Sequence, residues 1–92
     1  MNFINNIEMA ALVSEGFSKK EITTTSSNGI TQTIIYCGKS RLHNPDDRRT
    51  EIDPNWKIRK TWIVEDGTST TIVETWAKGS WQDRENLDYL YL

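Results

Sequence analysis

The sequence predicts an all-β domain: a small antiparallel β-sandwich or barrel with an N-terminal helix or arm. Three observations lead there. β-branched and aromatic residues gather in short runs, as in Glu21-Ile22-Thr23-Thr24-Thr25 and Ile30-Thr31-Gln32-Thr33-Ile34-Ile35-Tyr36. Asn28-Gly29 and Asp66-Gly67 punctuate these runs, and both pairs favour hairpin turns because their residues tolerate positive φ. All four tryptophans of the 92-residue chain fall within 26 positions, from Trp56 to Trp81, and a few such rings can dominate a small core.

Taken in order, residues 1–19 form an N-terminal helix or docking arm and residues 20–92 a single β domain. Phe3, Ile7, Ala10 and Ala11 recur at helical spacing, Asn2 can cap and Gly16 can terminate, so residues 2–15 read as a helix. A short buried strand at Met9–Val13 is the competing reading. In either form Phe3, Ile4, Ile7 and Leu12 need a surface to dock on, because a free helix of this length is marginal in water.

With Asn28-Gly29 at the centre of a first hairpin, Ile22 faces Ile35 and Thr23 faces Ile34. Ile30, Ile34 and Tyr36 then share one face, and Ile35 and Cys37 the other. Residues 39–55 carry both prolines and a dense run of charge, and read as a long irregular loop of the kind that is usually functional or mobile.

Trp56–Val64 and Thr68–Trp76 form the second hairpin. If Asp66-Gly67 are its two central residues, Arg59 lies opposite Glu74. One face presents Trp56, Ile58, Trp62, Val64, Val73 and Ala77 around Lys60, and reads as the core face. The other presents Ile63, Ile72 and Trp76 beside Lys57, Arg59 and Glu74. That mixture is too apolar for plain solvent and too charged for a core, so it should meet another sheet edge or another subunit. The tail closes with Leu87-Asp88-Tyr89-Leu90-Tyr91-Leu92, whose alternation reads as a final strand.

Composition narrows function by exclusion. A net charge of −2 argues against a general nucleic-acid binder, although not against a local basic patch. In Trp56-Lys57-Ile58-Arg59-Lys60-Thr61-Trp62, strand alternation puts the tryptophans opposite Lys57 and Arg59, so the segment makes a poor base-stacking platform. The one cysteine, Cys37, permits no internal disulfide and reads as a small core residue. His43 is the single histidine and reads as an exposed loop residue, so no metal or other cofactor is expected. The glycines form no phosphate-binding loop, and no acid–base pair or nucleophile stands out, so an enzyme is not expected. No apolar run reaches the length of a membrane span, and no basic residue precedes Lys19 as a secretory leader requires; production without export is the expectation.

Four segments, in order, carry a family resemblance: Tyr36-Cys37-Gly38, Trp56-Lys57-Ile58-Arg59-Lys60, Trp76-Ala77-Lys78-Gly79, and Trp81-Gln82-Asp83-Arg84 followed by Tyr89. Over residues 35–92 the chain resembles small proteins encoded beside the structural genes of tailed bacteriophages. The charged segment 39–55 departs from that pattern, which has a short run of small residues there, and the first 20 residues lie outside it. The resemblance implies a non-enzymatic, β-rich virion subunit of the head, neck or tail, made in the host cytoplasm, oligomeric, and partnered by other virion proteins. Trp81, Arg84 and Tyr89 become candidate interface anchors beside Ile63, Ile72 and Trp76, since Trp, Arg and Tyr dominate binding hot spots. The simpler alternative is that Trp81 and Tyr89 close the core. A second functional reading is a small intracellular module that docks on a host protein or single-stranded nucleic acid.

Overall fold

Four antiparallel strands follow one another in a simple meander, β1 (Lys19–Ser27), β2 (Ile30–Lys39), β3 (Trp56–Glu65) and β4 (Thr70–Gly79), with spatial order β1-β2-β3-β4. The structure, a computed structural model, describes residues 17–91. The proposed helix over 2–15, its alternative strand at Met9–Val13 and most of the arm over 1–19 lie outside the described residues. The all-β antiparallel class is as the sequence implies. Among the described residues there is one open sheet, with neither the second sheet of a sandwich nor the closure of a barrel.

The first hairpin has the register that its turn dictates. Asn28 and Gly29 both adopt positive φ, at 53° and 78°, and Ile22 faces Ile35 while Thr23 faces Ile34. The second hairpin does not. Asp66, Gly67, Thr68 and Ser69 form a four-residue connection, so Glu65 pairs with Thr70 and Arg59 faces Trp76 instead of Glu74. The cause is the Asp66 side chain, whose Oδ1 accepts from the backbone N–H groups of Thr68 and Ser69 at 3.3 and 2.9 Å and from the Ser69 hydroxyl at 2.9 Å. These bonds stabilise the longer turn. The shift is two residues, so every side chain keeps its face but acquires a new cross-strand neighbour. Arg59 still reaches Glu74, diagonally, at 3.6 Å.

The tail is mostly not a strand. After Gly79 the chain turns through Ser80–Asp83 into a 3₁₀ turn at Arg84–Asn86, and pairing resumes only at an isolated bridge between Trp76 and Leu90. Leu87 and Tyr89 use their apolar area to pack on the sheet instead of alternating along an added strand.

The segment between β2 and β3 is tied down at its second half. A single helical turn, α1 (Arg48–Glu51), is capped by Asp47, whose carboxylate accepts from the Arg49 backbone N–H at 2.8 Å. The Trp56 indole donates to the Thr50 carbonyl at 2.7 Å, and Arg41 and Asn55 both donate to the Asp53 carboxylate. His43 is exposed, as a loop histidine should be.

Burial depends on both the face and the position along the strands. At the Trp56 end, Tyr36, Trp56, Ile58 and Trp81 form a core on one face, with Ile34, Leu87 and Tyr89 packed against it. On the opposite face Ile35, Cys37 and Ile63 form a second buried cluster with Phe17 and Ile22, which makes Cys37 the core residue its sequence position implies. Towards the turns the face of Trp56 opens first, while the opposite face stays buried as far as Thr33 and Ile63. Trp62, assigned to the core face by alternation, is 39% exposed, whereas Ile63, assigned to the mixed face, is 1% exposed.

Candidate functional site

Tyr36, Trp56, Ile58, Trp81 and Tyr89, from three of the four segments singled out in the sequence, converge on one aromatic cluster. Register places Tyr36 and Gly38 of β2 beside Lys60 and Ile58 of β3, and Trp56 lies on that face at the start of the same strand. Gly38 explains how the rings fit. A Cβ there would sit 2.7 Å from Trp81 and 2.8 Å from Trp56, so only a glycine lets both indoles lie on the backbone. The two indoles meet with ring centroids 5.4 Å apart. Gly79 does the same for Leu87, which would collide with any side chain at that position.

Arg84 locks the cluster to the far edge of the sheet. Its guanidinium bonds both oxygens of Glu21 on β1, at 3.2 and 2.6 Å, and donates to the Trp81 carbonyl at 3.1 Å. It also lies over the Trp81 ring, 4.9 Å from the centroid. Tyr89 donates its hydroxyl to the Arg84 carbonyl at 2.6 Å, and burial, together with the neighbouring Tyr36, pushes its phenol well above the ordinary tyrosine range. Lys60 covers this pair of phenols, 5.5 Å from the Tyr89 ring.

The six residues nominated from sequence are therefore not a single surface. Trp81 and Ile63 are 3% and 1% exposed within the chain itself and have little area left for a partner. Arg84 and Tyr89 are half-buried in the clasp just described. Trp76, half-buried, stacks on Phe17 with centroids 6.4 Å apart, while Arg59 lies against both rings. Ile72 alone of the six points outward, at 44% exposure.

What the fold does leave outward is its turn half. Ile30 and Trp62 are exposed on the clasp's face, and Gln32 accepts from the Trp62 indole N–H at 3.1 Å. The β4 edge is open beside them. Trp76 exchanges both backbone bonds with Leu90 at 2.8 Å, so by ladder alternation Ile72 and Glu74 also turn their backbone groups outward. Among the described residues these groups have no strand partner.

A second feature is electrostatic. Lys39 pairs with Lys57, and Lys57 with Lys78, so three lysines lie side by side across β2, β3 and β4. All three are exposed, and none forms an ion pair among the described residues. Sequence reading missed this row because the assumed two-residue turn places Lys57 opposite Trp76. The signal was present nonetheless: each lysine lies at or next to the end of its strand, at the same end of the sheet.

Among the described residues no cluster of His, Cys, Asp or Glu is arranged to hold a metal ion, and no helix is long and apolar enough to cross a membrane. No family model, curated protein or solved structure matches the chain.

Proposed function

We propose that the chain is a non-enzymatic structural subunit of a tailed-phage virion, a head, neck or tail accessory component that works through protein–protein assembly. The observation that carries this reading is the open half of the sheet, where Trp62, Ile30 and Ile72 stand exposed and the β4 edge has no strand partner there among the described residues. Exposed aromatic and aliphatic groups on a paired-strand surface gain free energy when another protein covers them, and an open edge can add backbone bonds. The clasp fits the same role. Its glycines, indoles and Arg84 ion pair hold the sheet rigid from one end, so the other end is presented with little conformational freedom to lose on docking. The positions quoted for the resemblance contribute Tyr36, Gly38, Trp56, Ile58, Trp81 and Arg84 to that clasp, so on this reading the motif residues serve as scaffold.

Assembly on a symmetric particle favours a homo-oligomer with other virion proteins as neighbours. The test is light scattering behind size exclusion on the purified chain, together with quantification of the chain in purified particles. A closed oligomer, or a fixed copy number per particle, is the expected result. A monomer at all concentrations that is also absent from particles would overturn the proposal.

A further inference from the structure

We propose that the Lys39–Lys57–Lys78 row is a binding site for the phosphodiester backbone of a nucleic acid, independent of the assembly surface at the other end of the sheet. The geometry is set by register. Three adjacent strands at roughly 4.8 Å spacing place the lysine Cα atoms along a line of about 10 Å, within reach of successive backbone phosphates for side chains this long. Like charges directly opposite one another across strands repel. Among the described residues the nearby acids do not relieve that repulsion: Asp53 is engaged by Arg41 and Asn55, and Glu74 by Arg59. An anion laid along the row removes the repulsion and gains three favourable contacts at once.

A hollow of about 170 Å³ flanks the row, lined by Lys39, Ser40, Arg41, Asn55 and Lys57. It adds the Ser40 hydroxyl and those N–H groups of Arg41 and Asn55 that Asp53 does not take, donors suited to phosphate oxygens.

The residue type favours phosphate over an acidic protein surface. Carboxylates are best gripped by the two-pronged arginine guanidinium, and the cores of protein interfaces are enriched in arginine and depleted in lysine. Flexible ammonium groups instead suit sequence-independent contact with a charged backbone. The whole chain carries a net charge of −2, so this is a local patch and not a generally basic protein.

The experiment is fluorescence anisotropy of a labelled oligothymidylate of about twenty nucleotides, long enough to span the site, titrated with the full chain at several salt concentrations. Three phosphate contacts predict that a tenfold rise in salt weakens binding about 100-fold. The triple variant Lys39→Gln, Lys57→Gln, Lys78→Gln should lose at least about 30-fold in affinity at low salt and nearly all of the salt dependence. A control pair on α1, Arg48→Gln with Arg49→Gln, should change affinity less than threefold. The triple variant should also unfold at the same or a higher temperature, because the substitutions remove repulsion. That second readout separates a lost site from a lost fold. Absence of binding at low salt, a triple variant that binds like the wild type, or a control that falls as far as the triple variant would overturn the assignment. So would poly-L-glutamate competing more strongly than unlabelled oligothymidylate, which would give the row to an acidic protein. None of these outcomes depends on whether the chain is found in particles.

Discussion

Gly38 shows how much a single missing side chain does here. It lies between two tryptophans that approach its Cα too closely for a methyl group, and the indoles cannot retreat because both are buried, one hydrogen-bonded to Thr50 and the other beneath Arg84. Gly38→Ala should therefore destabilise the chain by about 1–3 kcal/mol through overpacking, whereas an alanine in an ordinary strand position is favoured over glycine. Urea unfolding followed by tryptophan fluorescence measures it, and an unchanged midpoint would show that the indoles can move. In the sequence Gly38 stands out only within the segment Tyr36-Cys37-Gly38. Its close-approach role was not legible there, because Trp81 is 43 positions away and its arrival over β2 depends on the tail leaving strand geometry. Tyr89 was legible as apolar and close to the core, yet its hydroxyl bond to the Arg84 carbonyl follows from the same unforeseen 3₁₀ turn.

The two hairpins differ in what their turns dictate at the scale of an element. Asn28-Gly29 supplies both positive φ values of a two-residue loop, so backbone chemistry alone set that register and the sequence revealed it. Asp66-Gly67 carries an equally good two-residue signal, but the downstream Thr68 and Ser69 offer donors to the aspartate, and side-chain bonding selected the longer loop. Those bonds hold the Asp66 carboxyl below its ordinary value of 3.8, led by the Ser69 backbone N–H. The resulting stabilisation is fully present above the unfolded carboxyl's pKa and is lost as pH falls through the lower folded one, where the unfolded state binds the extra proton. Asp47 and Asp53 are depressed as well and contribute in the same direction. The variant Asp66→Asn keeps an oxygen acceptor without a titrating proton, so it isolates this turn. Its stability should fall less steeply than the wild type's as pH is lowered from neutral into the acid range, while Asp66→Ala should be less stable than the wild type at neutral pH. Parallel wild-type and Asp66→Asn profiles in chemical denaturation would remove the turn as a source of acid sensitivity.

Over the whole molecule, the sheet is anchored at one end and open at the other, and the two ends bear different chemistry. The clasped end buries indoles and displays lysines, and the turn end displays Trp62 and Ile72. Strand alternation made the two faces legible in sequence, but not the lengthwise gradient on the clasp's face, which depends on where a tail of non-strand residues comes to rest. The gradient makes assembly and folding separable by mutation. Trp62 and Ile72 lie on opposite faces of the turn half, and both are partly exposed, so Trp62→Lys and Ile72→Lys should leave the chain folded at a cost of about 1–2 kcal/mol or less. If the open half is an assembly surface, Trp62→Lys should weaken self-association by at least about 30-fold, as loss of a central aromatic anchor does. Ile72→Lys should act more weakly unless the contact runs along the β4 edge, because it adds charge beside backbone groups that a docking strand would pair. Sedimentation equilibrium of the two variants across a concentration series distinguishes these cases. A Trp62→Lys protein that assembles like the wild type would move the contact off the clasp's face, and two unaffected variants would show that the turn half is not where copies of this chain meet.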